Sequence, residues 1–181
     1  FAVLIPSFAI GRTQEIISVL GQYGLAGRVV MDGMGIAASE IALEFPSYLK
    51  NSRQFSESYS KTRKIDGPAE RKAAGKAGNV IIATAGMFEG GPVMSHVQNF
   101  LKRGQQAKIF LTGYQVRGTK GRRLLEEGTV RLNGQTVKWP WEVRFFDFSA
   151  HADAKGLLQH ARKVNPKKIF CMHGEGDNLD G

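Results

Sequence analysis

The chain has 181 residues, 42% of them hydrophobic and 23% charged, a composition that excludes a disordered protein. Its 25 Lys and Arg residues outnumber 16 Asp and Glu, and the resulting net charge of +9 favours a polyanionic partner. One cysteine, Cys171, excludes an internal disulfide and suits a reducing, cytoplasmic compartment. No apolar run approaches the roughly 20 residues of a membrane span, so we expect no membrane partner.

The first half of the chain alternates between strand and helix patterns. Short continuous apolar runs predict strands, and apolar residues at helical spacing predict helices. The predicted strands are Ala2–Phe8, Arg28–Asp32, Asn79–Thr84 and Lys108–Thr112, and the predicted helices are Thr13–Tyr23, Ala37–Leu49 and Val93–Leu101. The alternation predicts an α/β fold with a mainly parallel, Rossmann-like sheet flanked by helices.

Two further parts of the chain follow other patterns. Residues 50–78 are polar and then basic, and we predict partial helix or loop over 51–62 and a helix over 68–77. After residue 120 the pattern predicts, in order, a short helix over Arg122–Glu127, a hairpin around Asn133-Gly134, a strand over Val143–Ser149, a helix over Ala154–Val164 and a strand over Lys167–Met172. The last three elements form a β-α-β segment.

Two histidines each follow a predicted strand. His151 and His173 lie 22 residues apart, which allows one crossover, so their side chains are predicted at neighbouring strand ends, where α/β proteins place their sites. Acid–base work or metal binding suits both imidazoles. A zinc site requires three or four ligands, however, and the chain has no further His or Cys cluster, so we expect an incomplete metal site.

Two glycine-containing loops resemble phosphate-binding fingerprints without matching them. The turn at Gly33 and Gly35 has Ala38 where a dinucleotide fingerprint requires glycine. The second loop fails the P-loop pattern, which requires lysine directly after glycine and before Ser or Thr, because here Lys120 follows Thr119. The loop Gly113–Lys120 nevertheless predicts backbone amides that approach a phosphate at a helix N-terminus. Residues 101–140 carry nine basic and two acidic residues, which favours a polyanion track. A solvated basic loop remains the alternative.

Six blocks of sequence carry a family resemblance. In order they are IPSFAIGRTQEII, VVMDGMGIAAS, IIATAGMFEGGPVMSHV, IFLTGYQVRGTKGRRLLEEG, FDFSAHADAKGLL and IFCMHGE. Together they resemble the β-CASP branch of the metallo-β-lactamase superfamily, and especially archaeal and bacterial homologues of the endonuclease subunit of the cleavage and polyadenylation specificity factor. The resemblance covers essentially the whole chain.

The resemblance implies a ribonuclease with two lobes and two zinc ions. SAHAD is similar to motif B, which would make His151 a general acid near the scissile phosphate, and CMHGE is similar to motif C, which would make His173 a zinc ligand. The family's H-x-H-x-D-H motif, bridging Asp and motif A do not occur in the 181 residues. We expect motif A upstream of Phe1, where H-x-H-x-D-H would also establish the ribonuclease. Residues 1–144 would then be a β-CASP domain and 145–181 a partial metallo-β-lactamase segment, inactive alone and binding zinc weakly or not at all.

The function predicted from this resemblance is the RNA-binding lobe of a zinc-dependent ribonuclease that acts in RNA 3′-end processing or decay. We predict RNA contacts, including a base stacked on Tyr114, from Arg12, Tyr114, Arg117, Thr119, Lys120, Arg122 and Arg123. A catalytically dead RNA-binding or scaffold paralogue is the alternative, and a nucleotide-binding Rossmann-like domain is disfavoured by the failed fingerprints. A homodimer or a subunit of a processing complex stays open.

Overall fold

A computed structural model describes residues 1–148 and 152–170, and the chain divides into two compact units, Phe1–Phe148 and Ser149–Gly181. The predicted β-CASP boundary between residues 144 and 145 stays a prediction. Among the described residues no helix is long and apolar enough to cross a membrane.

A six-stranded sheet forms the centre of the first unit, and every pairing within it is parallel. Its strands are β1 (Ala2–Pro6), β2 (Val29–Asp32), β3 (Arg63–Lys64), β4 (Val80–Ala83), β5 (Ala107–Leu111) and β8 (Val143–Phe145). They lie in the order β3-β2-β4-β1-β5-β8. The predicted α/β class with a mainly parallel sheet is therefore confirmed.

Successive side chains of the central strands alternate between two hydrophobic cores. Leu4 and Ile81 contribute to one core, while their neighbours Ile5 and Ile82 contribute to the other. Because strand side chains point to opposite faces in turn, a continuous apolar run is the expected pattern for a strand covered on both sides. Burial on both faces explains why β1 and β4 could be predicted from apolar runs alone.

Helices cover the two faces. The helices of the first unit are α1 (Arg12–Gln22), α2 (Gly35–Glu44), α3 (Ser52–Ser60), α4 (Pro68–Ala73), α5 (Pro92–Arg103) and α6 (Lys120–Glu127), and the second unit contains α7 (Ala154–Val164). Ile17 of α1 and Phe55 of α3 pack on one face, whereas Phe100 of α5 and Leu124 of α6 pack on the other. The helix after β1 thus leaves towards one face, and those after the neighbouring strands β4 and β5 leave towards the opposite face.

The structure corrects several predicted boundaries. Helix α2 ends at Glu44 instead of Leu49, because Pro46 disfavours helical backbone at the residue before it. Strand β8 ends at Phe145 instead of Ser149. Residues 167–170 are not strand, so the described part of the predicted last strand is wrong, and residues 171 and 172 lie outside the described part.

The predicted hairpin is confirmed. β6 (Thr129–Leu132) and β7 (Gln135–Lys138) pair antiparallel across Asn133-Gly134, and both turn residues have positive φ, as a type I′ turn requires. In the second unit α7 also matches its predicted bounds. Asp153 is its N-cap residue, and the Asp153 side chain accepts a hydrogen bond from the Gly156 N–H at 2.7 Å.

Candidate nucleic-acid interface

Three loops gather at the carboxyl ends of the central strands. They follow β1 (residues 7–11), β4 (84–91) and β5 (112–119), which are neighbours in the sheet. A Cβ added at Gly86 would lie 3.2 Å from the Phe8 ring, and one added at Gly113 would lie 3.7 Å from it, so the three loops meet around Phe8. Open α/β sheets bind ligands where neighbouring strands send their helices to opposite faces, as β1 and its two neighbours do.

The loop after β5 runs into α6 and carries most of the predicted RNA contacts. Thr119 is the N-cap residue, and its hydroxyl accepts a hydrogen bond from the Arg122 N–H at 3.2 Å. Tyr114 is 57% exposed and Arg117 is also exposed. One loop and the first turn of one helix therefore carry six of the predicted RNA contacts: Tyr114, Arg117, Thr119, Lys120, Arg122 and Arg123. Arg122 and Arg123 also pair with Glu126 and Glu127, at 2.6 and 3.7 Å.

The backbone amides at the start of α6 are already hydrogen-bonded within the protein. The N–H groups of Lys120 and Gly121 donate to the Glu89 carboxylate (2.7 Å) and the Met87 carbonyl (3.0 Å). The Thr119 N–H donates to the carbonyl of Val116 at 3.1 Å. With the Thr119 cap, these bonds satisfy the four donors that a helix N-terminus leaves without an intrahelical partner. In this conformation the four amides at the start of α6 therefore bond to partners within the protein, and the side chains around them are the candidates for anion contacts.

Gln115 joins the loops after β4 and β5. Its side chain is buried, and its Nε2 donates to the carbonyl oxygens of Gly86 (3.2 Å) and Gly113 (2.9 Å). Its Oε1 faces Gly121, where an added Cβ would come within 1.8 Å. The two loops and the start of α6 thus form one packed platform. Sequence reasoning missed Gln115, because a glutamine within a polar loop gives no signal of burial.

Arg12 is the first residue of α1. Its guanidinium donates to the carbonyl of Phe148, lies 5.5 Å from the centre of the Phe148 ring, and contacts Glu15 at 2.5 Å. Its side chain is only 13% exposed. The sequence placed Arg12 with the RNA contacts by its charge, whereas its partners in the structure belong to the protein.

A buried charged cluster at the end of β2 was also missed. Asp32 accepts hydrogen bonds from Arg71 Nε and Nη2, at 2.5 and 2.9 Å, and its Oδ2 lies 2.8 Å from His96 Nε2. Burial alone would raise the pKa of Asp32, but the hydrogen bonds and charges of Arg71 and His96 lower it below its usual value. Bonding to Asp32 raises the pKa of Arg71. Local sequence gives no sign of a role for His96, because the contact joins residues that are 64 positions apart.

The two histidines on which the predicted chemistry rests, His151 and His173, lie outside the described residues. Within residues 1–148 and 152–170, no group of three or more His, Cys, Asp and Glu side chains could hold a metal ion. The described part of the chain therefore does not fit a zinc centre by itself.

Comparisons with known proteins match both ends of the chain to family models. The Beta-Casp domain matches residues 13–124, and the Zn-dependent metallo-hydrolase RNA specificity domain matches residues 137–181. The second description attaches zinc dependence and RNA to this kind of domain.

Several curated archaeal proteins align with nearly the whole chain. Probable RNase MJ4 of Methanocaldococcus jannaschii is 34% identical over 95% of this chain and 41% of its own length. RNase aCSPSF2 of Saccharolobus solfataricus is 34% identical over 97% of this chain and 35% of its own length. Transcription termination factor FttA of Thermococcus kodakarensis is 34% identical over 96% of this chain and 30% of its own length. The chain thus spans between 30% and 41% of the length of these three relatives. Because the Beta-Casp model covers more than half of its residues, the chain belongs to the Beta-Casp domain family.

Proposed function

We propose that the chain is the RNA-binding lobe of a zinc-dependent β-CASP ribonuclease that hydrolyses phosphodiester bonds in RNA 3′-end processing or decay. The observation that carries this proposal is residues 113–123, the part of the platform formed by the loop after β5 and the start of α6. It presents an exposed aromatic ring and several cations at the sheet edge where α/β proteins bind ligands. Single-stranded RNA is bound by this combination of basic groove and stacking side chain.

The cations of the platform would contact phosphates through their side chains. Arg117, Lys120, Arg122 and Arg123 are the candidates, with the Thr119 hydroxyl beside them. Arg122 and Arg123 already have carboxylate neighbours on α6 at i+4. Exposed pairs of this kind contribute little free energy, so a phosphate can replace the carboxylate at small cost. Tyr114 would stack a base.

The catalytic roles are proposals for the whole protein. His151 would act as general acid for the leaving oxygen, and His173 would be one ligand of a two-zinc centre whose other ligands lie outside the 181 residues. Zinc, when bound, supplies Lewis-acid stabilisation of charged phosphate oxygens. RNA is the proposed substrate and the cytoplasm the proposed compartment, with a homodimer or a processing complex as the candidate assembly.

Salt dependence of RNA binding tests the platform in the 181-residue chain. We expect fluorescence anisotropy with a labelled single-stranded RNA to show affinity that falls as salt rises. Arg117→Ala and Lys120→Ala should each weaken binding severalfold and reduce the slope of log K against log salt by about 0.7. Tyr114→Leu should weaken binding with the slope unchanged, because stacking releases no counterions.

Arg53→Ala is the matched control, because Arg53 lies on α3 and its side chain is 88% exposed. It should leave the affinity and the slope unchanged. Binding that ignores salt, or that falls equally in the Arg53 variant, would contradict a specific basic platform.

The second candidate function is a catalytically dead RNA-binding or scaffold paralogue. The presence of both His151 and His173 in the sequence favours an active protein, since these are the residues that a dead paralogue loses. The sequence upstream of Phe1 distinguishes the two: H-x-H-x-D-H there would support the ribonuclease, and its absence would contradict it.

A further inference from the structure

The amino ends of the central strands carry a second basic surface, at the edge of the sheet opposite the platform. Five exposed cations lie on the segments that lead into β2, β4 and β5, and together we call them the amino-edge patch: Arg28, Lys72, Lys76, Lys102 and Arg103. These segments, residues 22–28, 71–79 and 98–106, contain no Asp or Glu. Their one other cation, Arg71, is bound to Asp32.

The register of the sheet places the three segments side by side. Val80 of β4 pairs with both Val29 of β2 and Val3 of β1. Ala107 of β5 pairs with Ala2 on the other side of β1. Neighbouring strands are spaced by about 4.8 Å, so the chain enters β2, β4 and β5 within a row of roughly 15 Å. The cations are therefore neighbours on one edge and are not scattered over the surface.

Contacts within the first unit fix the backbone of the amino-edge patch. Arg103 Nη1 donates to the Lys72 carbonyl at 3.1 Å, which joins the end of α5 to α4. The Gly78 N–H donates to the Phe1 carbonyl at 2.9 Å, and a Cβ added at Gly78 would lie 3.6 Å from Arg28 Nη1. The end of α5, the segment before β4 and the start of β2 thus form one surface.

The charge of the amino-edge patch is not neutralised within the protein. Across residues 1–148 and 152–170, no carboxylate forms an ion pair with any of the five cations. Lys102 and Arg103 lie in the last turn of α5, where a cation stabilises the helix dipole. The dipole does not account for Lys76, which lies three residues beyond the end of α4, or for Arg28, which ends a three-residue 3-10 turn.

We propose that the amino-edge patch is a second RNA-contact surface, which binds the backbone of an RNA whose other part lies on the platform. This inference rests on the proposed function, in which RNA is the substrate. Unpaired cations favour a polyanion, and Tyr23, on the same segment as Arg28, adds a ring that is 76% exposed. Cations beside an exposed ring suit a single-stranded RNA better than an acidic protein or a lipid surface.

The two RNA-contact surfaces differ in reach and in affinity. β4 and β5 have four and five residues, so the platform and the amino-edge patch lie roughly 15 Å apart along the strands. Helices begin at the platform and end at the amino edge, and the helix dipole favours phosphates at helix N-termini. A short RNA should therefore occupy the platform, and only a long RNA should reach both surfaces.

RNA length tests the inference in the 181-residue chain. Fluorescence anisotropy compares labelled single-stranded RNAs of about 6 and about 30 nucleotides. The Lys76→Gln and Lys102→Gln double variant should bind the long RNA about five- to twentyfold more weakly, with the slope of log K against log salt smaller by about 1.4. Its affinity for the short RNA should stay within about twofold of wild type, whereas Arg117→Ala should weaken both.

The matched control removes two exposed cations from another surface. Lys50→Gln combined with Arg53→Gln changes the net charge equally, at and before the start of α3. It should leave both affinities unchanged. Tyr23→Leu should weaken the long RNA alone and keep the slope, because stacking releases no counterions. Equal weakening by the two double variants would show a general effect of net charge and would overturn the inference.

Backbone amide signals locate the second contact without any substitution. The long RNA should shift the NMR signals of Gly78 and Gly104, and the short RNA should shift that of Gly118 but not these two. If Gly78 and Gly104 do not respond to the long RNA, the inference is wrong. Weakening by Arg117→Ala with no effect of the Lys76 and Lys102 double variant on the long RNA would refute the inference alone. Long-RNA binding that needs Lys76 and Lys102 but not the platform would support the inference and refute the platform as the carrier of the proposed function.

Discussion

Gly121, in the first turn of α6, leaves no room for a side chain. An added Cβ would lie 1.8 Å from Gln115 Oε1 and 3.2 Å from the Met87 carbonyl oxygen. We expect Gly121→Ala to lower the free energy of unfolding by about 2 kcal/mol, because Gln115 must move and release its bonds to Gly86 and Gly113. This loss should exceed the gain of about 1 kcal/mol that alanine brings to a helix. Urea unfolding measures the difference.

Gly27→Ala is the matched control for this prediction, since no atom lies within 4 Å of its added Cβ and its φ is not positive. It should be neutral or slightly stabilising. Combining Gly121→Ala with Gln115→Ala should cost less than the sum of the two single changes, because the clash disappears. Equal effects of the two glycine substitutions would show that the platform does not need Gly121.

Individual residues of the platform were only partly predictable from the sequence. The loop Gly113–Lys120 was identified from its glycines and charges, and those features depend on local sequence alone. Glu89 could not be assigned to the α6 N-terminus in the same way, because the loop after β4 brings it there from 31 residues away. Local patterns therefore located the loop, but tertiary contacts decided which of its groups face solvent.

Asp32 joins three elements: the end of β2, helix α4 through Arg71, and helix α5 through His96. α4 is a six-residue helix with no buried residue, and its Arg71 side chain bonds to Asp32 at the end of β2. Removing one partner of a buried pair leaves an uncompensated charge. We expect Asp32→Asn to lower the free energy of unfolding by about 3 kcal/mol at pH 7.

The same cluster predicts a pH dependence of stability. Because the pKa of Asp32 is lowered in the folded protein, its contribution is present above the usual value of 3.8 and is lost as pH falls through the folded value. The difference in the free energy of unfolding between wild type and Asp32→Asn, the stability gap, should therefore be constant from pH 7 to 5. It should become smaller below about pH 4. Urea unfolding at each pH measures the gap.

The exposed pair of Arg53 and Glu57 supplies the control for the Asp32 cluster. Glu57→Gln should change the free energy of unfolding by less than about 0.5 kcal/mol at any of these pH values. An Asp32→Asn gap that stays the same from pH 7 to pH 3 would contradict a charged Asp32 as the origin of the stabilisation.

At the level of elements, the sequence predicted those whose burial is uniform. β1, β2, β4 and β5 have apolar runs because both faces of the sheet are covered. β3 was not predicted, since it consists of Arg63 and Lys64 and is defined by backbone pairing with β2. β8 was predicted too long because, after Phe146 donates to Leu111, β5 has ended and offers no further partner.

At the scale of the whole molecule, the first compact unit holds the six-stranded sheet, and the described residues hold no group of three potential metal ligands. The Beta-Casp match lies within the first compact unit, and the match to the RNA specificity domain extends from that unit to Gly181. The relatives RNase MJ4 and RNase aCSPSF2 continue for more than half of their length outside the aligned region. Stability and RNA binding are therefore properties to test in the 181 residues, and catalysis is one to test in the full-length protein.

Zinc content tests this division directly. The described residues contain no group of three potential ligands, and His173 would add one imidazole, whereas a stable zinc site takes three or four protein ligands. We expect the folded 181-residue chain, treated with chelator, re-exposed to zinc and desalted, to retain well under one zinc per chain by elemental analysis. It should also leave a labelled RNA uncleaved. His173→Ala should have the same zinc content as wild type, because one ligand alone holds the ion weakly. One equivalent of zinc in wild type that is lost in His173→Ala, or cleavage that a chelator abolishes, would show that the 181 residues hold a complete centre.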